Sequence, residues 1–206
     1  LNISLDTLKK DKFHQITRRG TLKQVLKGIE MTQKVGLSPI KINIVIMRGI
    51  NDDEIGDFVE LTIDNPYQVR FIELMPMGEA KDIEDKRFMS NEEVMEKIPG
   101  LVPMINGDDL GPAKYYQLPG AKGKIGFISP MSNHFCKTCN RIRLTADGKI
   151  RPCLHSNLEI DMKDAIRNHN RDIKEILRES ILTKPERHHL NEKRESSIRN
   201  MNEIGG

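Results

Sequence analysis

Residues 134–155 read His-Phe-Cys-Lys-Thr-Cys-Asn-Arg-Ile-Arg-Leu-Thr-Ala-Asp-Gly-Lys-Ile-Arg-Pro-Cys-Leu-His and hold all three cysteines of the 206-residue chain. Cys136 and Cys139 form a Cys-x-x-Cys turn, whose backbone can aim two sulfurs at one metal centre. Cys153 returns after thirteen intervening residues. Arg143 to Arg151 reads as a β-hairpin with Ala146-Asp147-Gly148 at its tip, which would carry Cys153 back beside the turn. Three cysteines in one motif and none elsewhere is the arithmetic of a metal site.

Ligand counting narrows the metal. Structural zinc takes four tetrahedral ligands, so His134 or His155 would have to complete the set. A cubane iron–sulfur cluster takes one thiolate per iron, so three leave one iron open for water or a substrate atom. A disulfide suits an odd count with this spacing poorly. Counting therefore leaves zinc and iron–sulfur both open. Arg141 and Arg143 alternate with Ile142 and Leu144, so on a strand both guanidiniums leave from one face. Guanidinium forks bind carboxylate or phosphate bidentately. A solvated hairpin face is the ordinary explanation of Arg-x-Arg. Starting two residues after Cys139, this pair favours an anion site coupled to the metal.

The pattern Phe-Cys-x-x-Cys-Asn-Arg-x-Arg-Leu-Thr-x-Asp-Gly-x-x-Arg-x-Cys-Leu over residues 135–154 resembles the C-terminal cluster motif of the MoaA family. These are radical S-adenosylmethionine enzymes, GTP 3′,8-cyclases that act first in molybdenum cofactor (molybdopterin) biosynthesis. The terminal Ile-Gly-Gly resembles the family's ending. The resemblance covers essentially the whole chain, and only the later part of a full-length member. It implies an α/β fold: the C-terminal half of a radical SAM partial (β/α) barrel over residues 1–88, then a small α+β iron–sulfur domain with its tail over 89–206. It also implies that Cys136, Cys139 and Cys153 hold a 4Fe–4S cluster. Lys41, Arg141, Ile142 and Arg143 would bind GTP, and Ser4, Asn43, Arg70 and Met75 would bind S-adenosylmethionine. Gly205 and Gly206 would reach toward the active site. The family's reactive S-adenosylmethionine cluster needs a Cys-x-x-x-Cys-x-x-Cys loop, and this chain has no cysteine before Cys136. The expectation is thus a fragment, inactive alone, that joins an N-terminal half carrying that second 4Fe–4S cluster and forms a homodimer. A naturally short, noncatalytic relative is the other possibility. A zinc module of three cysteines and one histidine, recognising an anionic partner, is the alternative function.

Working outward, the first ninety residues repeat one plan. Leu1–Asp6 and Pro39–Ile46 alternate as strands, and Gln68–Met75 is a third. A helix from Thr21 to Val35, ended by Gly36, and one from a cap at Asp52 or Asp53 to about Ile63 lie between them. This order predicts a parallel sheet with right-handed crossovers. Lys41 and Asn43 share one strand face, opposite Ile40, Ile42 and Ile44, which points to a ligand-lined interior or an exposed edge. No Gly-rich loop opens either helix, which argues against Rossmann and P-loop readings. Met75 to about Phe88 reads as a linker, and Ser90-Asn-Glu-Glu as a capping box for a helix over Val94–Ile98. Lys114–Leu118 and Lys124–Ser129 are expected strands, and Asp161–His169 and Asp172–Leu182 amphipathic helices with Leu177 and Ile181 packing. From Thr183 on, the chain reads as a polar tail, with His188 and His189 exposed.

Composition sets the bounds. Hydrophobic residues are 37% and charged residues 31%, so the chain can bury a core and is not disordered. A net charge of +3 gives no general nucleic-acid surface. No apolar run approaches the ~20 residues of a membrane span. Reduced, metal-binding cysteines fit a cytoplasmic setting.

Overall fold

The computed structural model describes residues 1–104, 111–168, 171–188, 190, 199 and 203. It is a mixed α/β fold in two compact units, Leu1–Leu74 with Asp85–Asn133, and Met75–Glu84 with His134–Gly206. Residues 89–133 pack with the first strands in this division.

In the first unit, β1 (Asn2–Ser4), α1 (Lys10–Thr17), α2 (Leu22–Lys34), β2 (Lys41–Ile46), α3 (Ile55–Asp64) and β3 (Gln68–Glu73) follow in order. The turn α4 (Glu84–Arg87), whose first residue falls in the second unit, α5 (Asn91–Glu96), β4 (Val102–Pro103), β5 (Lys114–Gln117) and β6 (Lys124–Ile128) come next. One six-stranded sheet runs β1-β2-β3-β6-β5-β4. Its first four strands are parallel, as the strand–helix repeat predicts, and β5 and β4 add antiparallel to β6. The position of β6 directly beside β3 is what draws residues 89–133 into this unit.

Alternation along the strands does the burying. Ile42, Ile44, Val69, Phe71, Ile125 and Phe127 are buried with Leu5, Phe13, Ile29 and Phe58 in one core. Each such side chain contributes roughly 1.5–3 kcal/mol relative to exposure. The intervening positions Lys41, Asn43 and Arg70 stay half-buried. Thr21 caps α2 by accepting from Gln24 N, and Ser90 with Glu93 makes the full capping box that starts α5 at Asn91. Neither Asp52 nor Asp53 caps α3. A 3₁₀ turn, Asp52–Glu54, precedes that helix, Asp52 accepts from Gly49 N, and Asp53 pairs with Lys9 and Lys12.

The second unit holds β7 (Arg143–Leu144), β8 (Lys149–Arg151), β9 (Ile160–Asp161), α6 (Met162–Asn168) and α7 (Ile173–Leu182). Its three strands form an antiparallel sheet with β8 in the middle. Ile150, Ile160, Ala165 and Ile176 make its small core, with Met162 and Leu177 packed against it. Ile181, expected to pack, is 62% exposed. The buried row of α7 is instead Ile176 and Ser180, whose hydroxyl donates to Ile176 O at 2.7 Å. Among the described residues, no helix is long and apolar enough to cross a membrane.

Candidate functional site

The second unit shapes residues 135–155 in two steps. Cys136–Thr138 form a 3₁₀ turn, closed by Thr138 N donating to Phe135 O and Cys139 N to Cys136 O, both at 3.1 Å. The chain is extended again at Cys139. The predicted hairpin follows, pairing Arg143 with Arg151 and Leu144 with Ile150. Thr145 N donates to Lys149 O at 2.9 Å and Gly148 N to Thr145 O at 3.0 Å. Gly148 has φ +87°, and a Cβ there would come within 2.6 Å of Lys163 Cβ, so both backbone and space call for glycine. Anchored by Ile150, β8 delivers the chain two residues short of Cys153.

The three cysteines are half-buried and in no disulfide. Burial pushes the Cys153 thiol up; a backbone hydrogen bond from His155 opposes this, and the nearby Cys136 and Cys139 add to the rise. No group of three or more His, Cys, Asp or Glu side chains among the described residues is arranged to hold a metal ion.

Cations crowd the thiols. Arg143 is half-buried, and its guanidinium is held below its usual range by burial, then by Arg141 and Arg151, while Cys139 and Cys153 act the other way. Arg141 is exposed and lies just before β7, so the two arginines do not share a strand. Ile142 between them is 39% exposed. Arg151 is fully buried, donates to Ser156 O and faces Glu159 at 3.8 Å. Lys184, just past α7, donates to Arg141 O at 2.6 Å and to Cys139 Sγ at 3.4 Å.

Three imidazoles meet beside them. His188 packs edge-on against His134 and His155, with ring centroids 4.3 and 4.7 Å away. It is buried at 7% exposure, which corrects the reading of an exposed polar tail at this residue. Burial, then His188, Arg143, His134 and Arg151, push His155 down to about 4. On the hairpin tip, Arg199 grips both oxygens of Asp147 at 3.1 and 2.7 Å and Glu159 at 2.6 Å. His189, Gly205 and Gly206 lie outside the described residues.

The first unit has a polar row of its own. Ser4, Asn43 and Arg70 stand directly side by side in register on β1, β2 and β3, and Gly126 of β6 is next. Arg70 Nε donates to Asn43 Oδ1 at 2.7 Å, and its Nη2 to Asn2 Oδ1. A side chain at Gly126 would meet Tyr115 at 2.9 Å and Arg70 Cγ at 3.1 Å, so glycine leaves room for both. Lys41 heads the adjacent row, opposite Asn2 and Gln68. Met75 follows β3 in the chain and belongs to the second unit.

Sequence reasoning singled out the cysteines, arginines and polar strand positions as candidates. It did not single out Lys184, Arg151, Arg199 or His188. Only Arg151 carried a local signal, as the second arginine of the hairpin.

Two family models match. That of the Radical SAM superfamily covers residues 1–62, and that of Molybdenum Cofactor Synthesis C covers residues 67–190. Curated relatives named GTP 3′,8-cyclase, from Alkaliphilus oremlandii and Alkaliphilus metalliredigens, are each 54% identical over 207 aligned residues. One from Clostridium botulinum strain Okra is 47% identical. All of this chain aligns in each case, and it spans 64% of the relatives' length.

Proposed function

The chain belongs to the Molybdenum Cofactor Synthesis C family, and on that premise we propose that it is part of a radical S-adenosylmethionine GTP 3′,8-cyclase. The overall reaction converts GTP into (8S)-3′,8-cyclo-7,8-dihydroguanosine 5′-triphosphate for molybdenum cofactor biosynthesis. In this reading the first unit belongs to the second half of a partial (β/α) barrel, and the 134–155 segment to an iron–sulfur domain. An N-terminal half, a second copy of the chain and a reducing, cytoplasmic setting complete the arrangement.

One observation carries the reading: the hairpin pairs Arg143 with Arg151, and Lys184 reaches Cys139 Sγ at 3.4 Å and Arg141 O at 2.6 Å, so cations stand at the cysteine turn. The donor set fits a 4Fe–4S cluster. A single tetrahedral zinc with bonds of ~2.3 Å draws its ligand sulfurs to roughly 3.8 Å of one another. A cubane gives each thiolate its own iron and so asks for wider spacing. Three thiols in one motif, with none elsewhere in the sequence, match one iron each and leave the fourth iron open. When bound at Cys136, Cys139 and Cys153, the cluster would supply an open iron for an atom of the guanine base, and S-adenosylmethionine with its own 4Fe–4S cluster would supply the hydrogen-abstracting radical. Arg141 and Arg143 hold the triphosphate, Ile142 packs beside it, and Lys41 offers a further cation to GTP. Ser4, Asn43 and Arg70 present a row of hydroxyl, amide and guanidinium suited to the polar groups of S-adenosylmethionine, and Met75 adds an apolar contact. The Gly205-Gly206 end, free of side chains, suits close approach to substrate.

The test is metal analysis after anaerobic reconstitution with iron and sulfide. About four irons per chain are expected, most of them lost on replacing any one cysteine with Ser and retained in His134→Ala and His155→Ala. One tightly held zinc, released by either histidine change, would replace this reading with the zinc module.

A further inference from the structure

We infer that Lys184 is a positioning residue for the metal-binding thiols: its ammonium donates to Cys139 Sγ and raises the reduction potential of the cluster those thiols hold. The inference rests on the iron–sulfur reading of Cys136, Cys139 and Cys153 given above.

Lys184 is held in place by its own unit. The chain leaves α7 through a closing turn, with Thr183 N donating to Glu179 O at 2.8 Å and Lys184 N to Ile181 O at 3.3 Å. Further back, α7 is pinned by Ile176, fully buried against Ile150 of β8 and Ile160 of β9. Helix end and hairpin are therefore parts of one packed body, and the backbone at Lys184 has a fixed place relative to the cysteine turn. From there the ammonium reaches Arg141 O at 2.6 Å and Cys139 Sγ at 3.4 Å.

Those two partners are informative. An ordinary surface lysine keeps its charge in water or beside a carboxylate, and its side chain stays free to change rotamer. This one is half-buried and uses two of its three donors on a carbonyl and a sulfur, either side of Asn140. The pair of contacts clamps the segment between the knuckle and the hairpin arginines. It also sets an ammonium against one particular sulfur. Reduction adds a negative charge to a cluster, and hydrogen bonds to its sulfurs together with local charge set its potential. An N–H donor that is also cationic favours the reduced form on both counts.

The experiment compares the chain with its Lys184→Met, Lys184→Gln and Lys184→Arg variants, each reconstituted anaerobically with iron and sulfide. Iron per chain and the reduction midpoint, from a titration followed by absorbance and electron paramagnetic resonance, are the readouts. The midpoint should move to more negative potential in Lys184→Met, by less in Lys184→Gln, which keeps a donor without the charge, and stay near wild type in Lys184→Arg. If Lys184→Met does not fold, Lys184→Gln against Lys184→Arg carries the comparison. Equal midpoints in wild type, Met and Gln variants at equal iron would overturn the inference. So would lower iron content in the variants with an unmoved midpoint, because that is the signature of a merely structural lysine. A wild-type chain that takes up one zinc and no iron would sink the iron–sulfur reading itself, before any variant is compared.

Discussion

Replacing Glu73 with Gln tests how the first unit holds the ends of β3 and β6 together. Glu73 is 1% exposed at the end of β3. One carboxylate oxygen accepts from Asn91 N at 3.1 Å and from the Ser132 hydroxyl. The other accepts from Met131 N at 2.9 Å and Ser132 N at 3.0 Å. The amide of Gln can satisfy only one side. Its carbonyl best takes Met131 and Ser132, while its NH₂ donates to a turned Ser132 hydroxyl and strands Asn91 N–H. A stranded buried N–H costs about 1–3 kcal/mol, and two charge-assisted bonds becoming neutral lose about 1 kcal/mol each. The expected destabilisation is thus ~3–5 kcal/mol. At about 2–4 °C per kcal/mol for a chain of this size, Tm should fall by roughly 6–20 °C. The control is Glu92→Gln, the same charge change at an exposed position in the first turn of α5, which should cost under about 0.5 kcal/mol. Thermal and urea unfolding of the metal-free chain give the numbers, and hydrogen exchange at Asn91, Met131 and Ser132 localises them. A Glu73→Gln loss within about 1 kcal/mol of the control would mean that water or repacking satisfies those donors, and the accounting would fail.

Arg141→Ala and Arg143→Ala should each weaken GTP about ten- to a hundredfold, from charge-assisted contacts of roughly 1.5–3 kcal/mol, and guanosine far less; equal losses for both ligands would remove the triphosphate assignment. His155, neutral in the folded chain because it is pushed down to about 4 from 6.5, binds its proton readily only on unfolding. Stability of the metal-free chain should therefore fall as pH is lowered from about 6.5 to about 4, and a slope unchanged in His155→Phe would count against this group. With its only cysteines assigned to the nucleotide side, the chain alone should release no 5′-deoxyadenosine from S-adenosylmethionine under strong reductant. Release should appear on adding a polypeptide with Cys-x-x-x-Cys-x-x-Cys, and release without it, above a control lacking all three cysteines, would mean the cluster does different chemistry.

The features legible in the sequence were those set by short-range chemistry. Alternating Ile42, Ile44 and Ile46 give a strand whichever neighbours it finds, the Ser90–Glu93 box starts a helix by itself, and Asp147-Gly148 turns a hairpin locally. Features decided by distant partners were not legible. Placement of β6 against β3 is a parallel pairing across more than fifty residues, and no local pattern in the sequence announces it. Helix α1 leaves little trace in the sequence, because its charged run has a single buried anchor, Phe13. On α7 Leu177 packs as the apolar pattern suggests, but Ile181 does not: small Ser180 takes the buried place because it can bond back to Ile176 O. His188 looks like tail among Lys, Arg and Glu, and only the facing rings of His134 and His155 bury it.

The hairpin arginines break a local rule in a telling way. Like charges directly opposite on paired strands destabilise a sheet, yet Arg143 faces Arg151, with Arg141 and Lys184 close by. Glu159 compensates on one side, shared with Lys149 and Arg199. On the other side the groups that act on Arg143 in the opposite sense are the thiols of Cys139 and Cys153. Carrying a cluster as thiolates, they would supply the missing negative charge. A hairpin that concentrates cations around three cysteines therefore makes electrostatic sense once an anionic group occupies it. Sequences depart from local consistency chiefly where function requires it, and here the departure coincides with the residues that carry the family resemblance.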